Sequence, residues 1–251
     1  MKQFMYLVLT AVALLSCFGA RKRQQPDSIY VTAIVDITDH RQVYPKAESI
    51  LPFYNFNTEE NSEAAFRICP VTDRELNPDI EFHLPNDIET EKSNSDDDPD
   101  FRKKVIIHFF DSIRKTIEEF NTKVKSDTSV AHSECFKSIS NELQNLAQHK
   151  GSKAILLVYS DLQENSAFFN CYSPSSQRIL QSFPEKVAAV FEKTRLLPER
   201  LNNITVSFVY DPVSRDDDIR FMAMLKVYKK LLLTRGAKVT VSASNPIYVD
   251  P

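Results

Sequence analysis

The sequence predicts an α/β fold: a doubly wound, mostly parallel central sheet with helices on both faces and a strand pair at one edge. Three observations predict it. Three apolar runs of strand length each stop at an acid: SIYVTAIVD at 28–36, KAILLVYSD at 153–161 and NITVSFVYD at 203–211. Continuous runs of this kind suit strands buried on both sides. Between them lie segments with apolar residues at every third or fourth position, so strands and helices alternate. Two of the chain's three glycines, Gly151 and Gly236, stand just before strand-like runs, where a residue with positive φ closes a helix.

Each element follows in order. Ser28 to Asp36 is the first strand. Residues 41–52 contain Pro45 and Pro52 and leave little room for a regular helix. Ala64–Val71 and Ile80–Leu84 read as the edge pair. Residues 86–100, NDIETEKSNSDDDPD, are acidic and free of aromatics, and read as a mobile surface loop. Asp96, Asp97 and Asp98 lack the spacing of a calcium loop. Residues 101–124 form a helix whose buried face carries Phe101, Val105, Phe109, Ile113, Ile117, Phe120 and Val124. Residues 133–148 form another, with Phe136, Ile139, Leu143 and Leu146 inward. The helix at 182–194 is opened by Ser182–Glu185 as a capping box with Pro184 in its first turn. The last helix, 216–234, presents Ile219, Met222, Leu225 and Leu232, and leads to a short strand, KVTVS, at 238–242.

Composition excludes several functions. A formal net charge of −3 gives no excess of cations for a nucleic-acid surface, so no nucleic-acid partner is expected. Three scattered glycines cannot build a Walker A loop, a GxGxxG turn or a GxSxG elbow.

The amino terminus sets the compartment. Lys2 precedes an apolar run from Phe4 to Leu15, well short of the ~20 residues that span a bilayer. Residues 1–16 therefore read as a secretory signal. Leu14-Leu15-Ser16-Cys17 resembles a bacterial lipobox. That resemblance implies cleavage before Cys17 and acylation of Cys17, so that 251 − 16 leaves 235 residues. Residues 17–27, with Arg21, Lys22 and Arg23, become a lipid-bearing tether. The product is an exported cell-envelope lipoprotein held on the membrane by its acyl chains. Phe18, rather than an acid, follows the cysteine and favours the outer membrane over the inner. Cys69, Cys135 and Cys171 form no CxxC pair. One disulfide with one thiol, or three thiols, are both open, and Cys135 with Cys171 is the candidate bridge.

The acids that close the strands define the candidate site. Asp36-Ile37-Thr38-Asp39-His40 follows the first strand, and Ser160-Asp161 ends the next apolar run. Over about 28–244 these residues resemble the von Willebrand factor A (integrin I-like) family. Its metal-ion-dependent adhesion site joins a DxSxS or DxTxS turn, a loop hydroxyl and a strand-closing acid. The resemblance implies that Asp36, Thr38, His40, Ser133 and Asp161 surround Mg2+ or another divalent cation. Ser133 is preferred over Thr128 and Ser129 because it opens a helix. His40 departs from the family, which has a hydroxyl there. An imidazole suits zinc, copper, iron or nickel better than magnesium, and a site with no metal is equally compatible with it.

The expected function is a tethered, non-enzymatic protein-binding module. Its contacts come from this rim and from the loop 163–177, where Tyr172 with Phe168 and Phe169 meets the partner, or the two phenylalanines instead cover the sheet edge. The alternative is a metal-assisted phosphate-ester hydrolase built on Asp36, Asp161, Asp211 and His40. No nucleophile motif accompanies those acids.

Overall fold

The computed structural model describes residues 28–38, 43–54, 63–71, 79–84, 101–126 and 133–247. The signal segment and tether at 1–27 with Cys17, the residue His40, Thr128 and Ser129, and the acidic loop at 86–100 lie outside the described residues.

Six strands form one sheet: β1 (Ser28–Asp36), β2 (Glu63–Val71), β3 (Ile80–Leu84), β4 (Lys153–Tyr159), β5 (Ile204–Val209) and β6 (Lys238–Ser242). Their spatial order is β3-β2-β1-β4-β5-β6. β3 runs antiparallel to β2, and every other neighbouring pair is parallel. The α/β class and the edge pair are as the sequence predicts. The helices are α1 (Ala47–Ile50, running into a tight turn at Leu51–Phe53), α2 (Phe101–Ser126), α3 (Cys135–Leu146), α4 (Pro174–Ser182), α5 (Pro184–Lys193) and α6 (Arg215–Leu233).

Alternation along β1 divides its side chains between two hydrophobic clusters. Ile29, Val31, Ala33 and Val35 join the cluster that holds Ile113 and Ile117 of α2. Tyr30 and Ile34 join the cluster that holds Phe136 of α3, Phe191 of α5 and Tyr228 of α6. Gly151 and Gly236 both have positive φ, 84° and 88°, and each precedes a strand.

Three helical expectations need correction. The helix expected at 182–194 forms as α5 but starts at Pro184, with Phe183 at its N-cap and no side-chain cap hydrogen bond. Pro184 is the reason: it disfavours α geometry in the residue before it, and Phe183 sits at φ −144°, ψ 61°. The capping box does not form. In α2, Phe101 is 43% exposed and Ile106 is buried instead. In α6, Ile219 and Met222 are exposed, whereas Phe221, Met224, Tyr228 and Leu231 are buried. Apolar residues occupy more than one stripe of that helix, so periodicity alone selects the wrong one.

The strand order positions the site. From β1 the chain moves outward to β2 and β3, then returns to add β4, β5 and β6 on the other side of β1. The C-terminal ends of β1 and β4 thus border the point where the order reverses, the usual ligand crevice of open α/β sheets. Register keeps those ends level, with Val35 opposite Tyr159 and Tyr159 opposite Val209.

Candidate functional site

Asp36 ends β1 at this reversal and is 1% exposed. A carboxylate so placed requires donors, because burial of an unpaired charge is prohibitive. Three chain segments supply them. Thr38, two residues on, donates both its hydroxyl (2.7 Å) and its backbone N–H (3.1 Å) to Asp36 Oδ1. Ser133, just ahead of α3, donates its hydroxyl to Oδ2 at 2.9 Å. Ser160, following β4, donates its hydroxyl to the same oxygen at 2.9 Å and accepts Leu162 N–H. The Cys135 thiol adds a longer contact to Oδ2, 3.4 Å. Asp36, Thr38 and Ser133, expected together, are together.

Asp161 lies one residue beyond Ser160 at the same end of the sheet, and its Oδ1 accepts Gln163 N–H at 2.9 Å. Between them Leu162 is buried with φ 61°, a left-handed conformation that costs a branched residue on the order of 1–2 kcal/mol. The turn after β4 is therefore strained beside the acids. Asp211 is exposed two residues past β5.

Cys135 and Cys171 do not form the expected bridge in this structure; both are buried thiols, as is Cys69. Burial first, then the carboxylates of Asp36, Glu164 and Asp161, push the Cys135 thiol well up. It sits 2.9 Å from Ser133 Oγ and 3.4 Å from Ser160 Oγ. It stays protonated as a donor in the network. Phe168 and Phe169 turn inward: Phe168 packs on Phe136 and Phe191, and Phe169 on Phe191. Tyr172, 59% exposed, is the aromatic of this loop that faces water.

Glu164 belongs to the site and has no signal in the sequence. It is fully buried, and its Oε2 accepts Phe136 N–H at 2.8 Å. It thereby supplies the first turn of α3 with the cap that Glu134, at the N-cap position, does not provide. Its backbone carbonyl accepts Cys171 N–H, and Asn165 N–H reaches Ser133 O, so the loop is stitched to the start of α3. Burial pushes the Glu164 carboxyl up to about 7, against the lowering effect of the Phe136 N–H. The contact between residues 136 and 164 is set by the fold, and a polar stretch, DLQENS, hides it in the sequence. Ser160 was visible only as the neighbour of Asp161.

The donor chemistry fits a hard divalent cation. Thr38 and Ser133 both commit their protons to Asp36, which leaves their hydroxyl oxygens as acceptors, Thr38 half-buried and Ser133 buried. Neutral hydroxyls beside one or two carboxylates match the oxygen ligation of magnesium, which keeps several waters. Among the described residues no group of three or more His, Cys, Asp or Glu side chains clusters as metal ligands; the fit rests on hydroxyls. Comparison with family models, with curated proteins and with solved structures found no match. Among the described residues no helix is long and apolar enough to cross a membrane.

Proposed function

We propose that the chain is a von Willebrand factor A-like recognition module, carried on a bacterial lipoprotein, which binds a protein partner at the rim around Asp36. One observation carries the reading. Hydroxyls from three separate segments, Thr38, Ser133 and Ser160, converge on one buried acid where the strand order reverses. The sheet, with helix residues in a buried cluster on each side of β1, supports the doubly wound architecture. In this reading Thr38, Ser133 and Asp161 hold a divalent cation, with Asp36 fixing the hydroxyls. The cation would supply a coordination position for an acidic side chain of the partner. Tyr172 offers an exposed aromatic anchor beside that rim. The lipobox-like Cys17 supports an exported protein held by acyl chains, with the outer membrane favoured.

Recognition is favoured over ester hydrolysis because both oxygens of Asp36 are engaged by protein donors, which leaves it poorly suited to attack. Thermal unfolding of the full chain against Mg2+ and Mn2+ tests the site. Occupancy at a hundred times the dissociation constant adds about 2.7 kcal/mol, a rise of several degrees. Ser133→Ala removes that rise while leaving the chelator-treated protein folded. No rise with either ion overturns the cation-dependent reading.

A further inference from the structure

A second site lies at the other end of α3. This helix has 12 residues, about 18 Å of length at 1.5 Å each, so the two sites are separate. A cavity of about 310 Å³ opens there between the end of α3 and strands β1, β2 and β3. That volume is at the lower end of small-molecule sites. Tyr30 and His149 stack at 3.7 Å and form an aromatic wall. Arg67 and Glu81 face the cavity from β2 and β3, with Asn145 and Gln148 from the last turn of α3 and the residues just past it.

Charge decides what fits. Arg67 is the sole lysine or arginine lining the cavity, and its guanidinium is already shared. It pairs with Asp79, with Glu81 at 3.1 Å and with Glu142 at 3.0 Å. The other oxygen of Glu81 meets His83 Nε2 at 3.0 Å, so a cation at Glu81 shares that carboxylate with Arg67 and His83. Three carboxylates therefore surround one guanidinium. Glu63 adds a fourth nearby, accepting the Tyr30 hydroxyl at 2.7 Å. An anionic ligand would have to displace these acids from Arg67. The end of α3 reinforces the sign: its last turn carries no basic residue, and a helix C-terminus favours positive charge. Among the described residues no three ligating side chains cluster for a metal ion. Aromatic walls favour an organic cation.

We propose that this cavity binds a small organic cation, an ammonium or guanidinium compound, with its charge at Glu81 and its body against Tyr30 and His149. Asn145 and Gln148 offer amide oxygens to the remaining N–H groups. The proposal is independent of the rim around Asp36.

The test is an NMR titration of the 15N-labelled full chain at pH 8, where an ordinary imidazole is neutral. The probe is arginine amide, and citrulline amide is its match with the guanidinium charge removed. Saturable shifts at Asn145, Gln148 and His149 with arginine amide alone are expected. Glu81→Gln, on an exposed edge strand, should weaken binding about fivefold or more with an unchanged spectrum elsewhere. An acetyl-Gly-Arg-Gly-amide arm assigns the source. Binding as tight as arginine amide's points to a protein side chain, and weaker binding points to a free small molecule. No saturable shift, equal binding of citrulline amide, or an unaffected Glu81→Gln variant overturns the proposal.

Discussion

Replacing Asp36 is the most direct probe of the rim. Asp36→Ala removes the acceptor of both Thr38 donors and of the Ser133, Ser160 and Cys135 side chains. The Thr38 groups are half-buried and regain water. Ser133, Cys135 and Ser160 are buried and cannot. Each buried donor left unpaired costs about 1–3 kcal/mol, and the three can recover part of this among themselves, since Cys135 Sγ already contacts both serine oxygens. The expected loss is about 3–5 kcal/mol, a large share of the ~5–15 kcal/mol of a typical domain. Asp36→Asn keeps the shape and one acceptor, and the serine hydroxyls can rotate to accept from its amide; about 1–2 kcal/mol is expected. Urea unfolding of the full chain in chelator measures both without any cation contribution. An Ala variant within about 1 kcal/mol of the parent, or an Asn variant as costly as Ala, would refute the network as described.

Three further outcomes follow from the same geometry. Glu164, pushed up to about 7 by burial, binds its proton more tightly folded than unfolded, where a glutamate titrates near ~4.3. Its contribution is full below the unfolded value and is lost as pH rises through about 7, by about 4 kcal/mol. Glu164→Gln should therefore gain stability relative to the parent between pH 5 and pH 8 in denaturant titrations, and a constant difference would contradict this. Burial raises the thiols of Cys69, Cys135 and Cys171, the last to about 12, so iodoacetamide should label none of the three until the protein unfolds; rapid labelling of any in the native state counts against it. Gly236→Ala places a methyl group on Asn202 at φ 88°, whereas Gly151→Ala at φ 84° meets open space. Each should cost about 1 kcal/mol in thermal melts from the left-handed backbone, since the exposed Asn202 side chain can swing clear of the new methyl, and a gain of stability in either variant would count against that backbone geometry.

What was legible in the sequence depended on the range of the interaction. The runs that became β1, β4 and β5 were readable because burial on both sides leaves no room for alternation. Asp36 and Thr38 were readable because their bond spans two residues. Ser133 could be chosen from its place before a helix. Cys135 illustrates the limit. Its expected place near the same edge as Cys171 makes a disulfide one of two open readings, but its partners are Asp36 and Ser160, 99 and 25 residues away, and only the folded sheet brings them together. Glu164 was lost for the same reason. The loop aromatics leave two readings open because composition does not tell which side faces water: Phe168 and Phe169 pack beside Phe191, the covering alternative, and Tyr172 faces out. In α6 the apolar surplus, not a missing signal, blurred the face.

The polarity of the rim narrows what it can bind. Reversal points of parallel sheets commonly hold anions, because a helix N-terminus and glycine-rich turns aim N–H groups at the ligand. Here those donors are used internally. The Phe136 N–H of α3 is taken by Glu164, and the Leu162 and Gln163 N–H groups by Ser160 and Asp161. The hydroxyls of Thr38, Ser133 and Ser160 point their protons at Asp36. What Thr38 and Ser133 keep is acceptor oxygen, around an anionic centre and next to Asp161, whereas Ser160 is buried and accepts Leu162 N–H. A buried acid of this kind gives little stability beyond what apolar packing would supply, and the left-handed Leu162 beside it adds strain. Stability alone is thus a poor reason for the arrangement, whereas attraction of positive charge to the rim is a direct consequence of it. A phosphate or carboxylate bound here in chelator, with no cation present, would contradict that polarity outright.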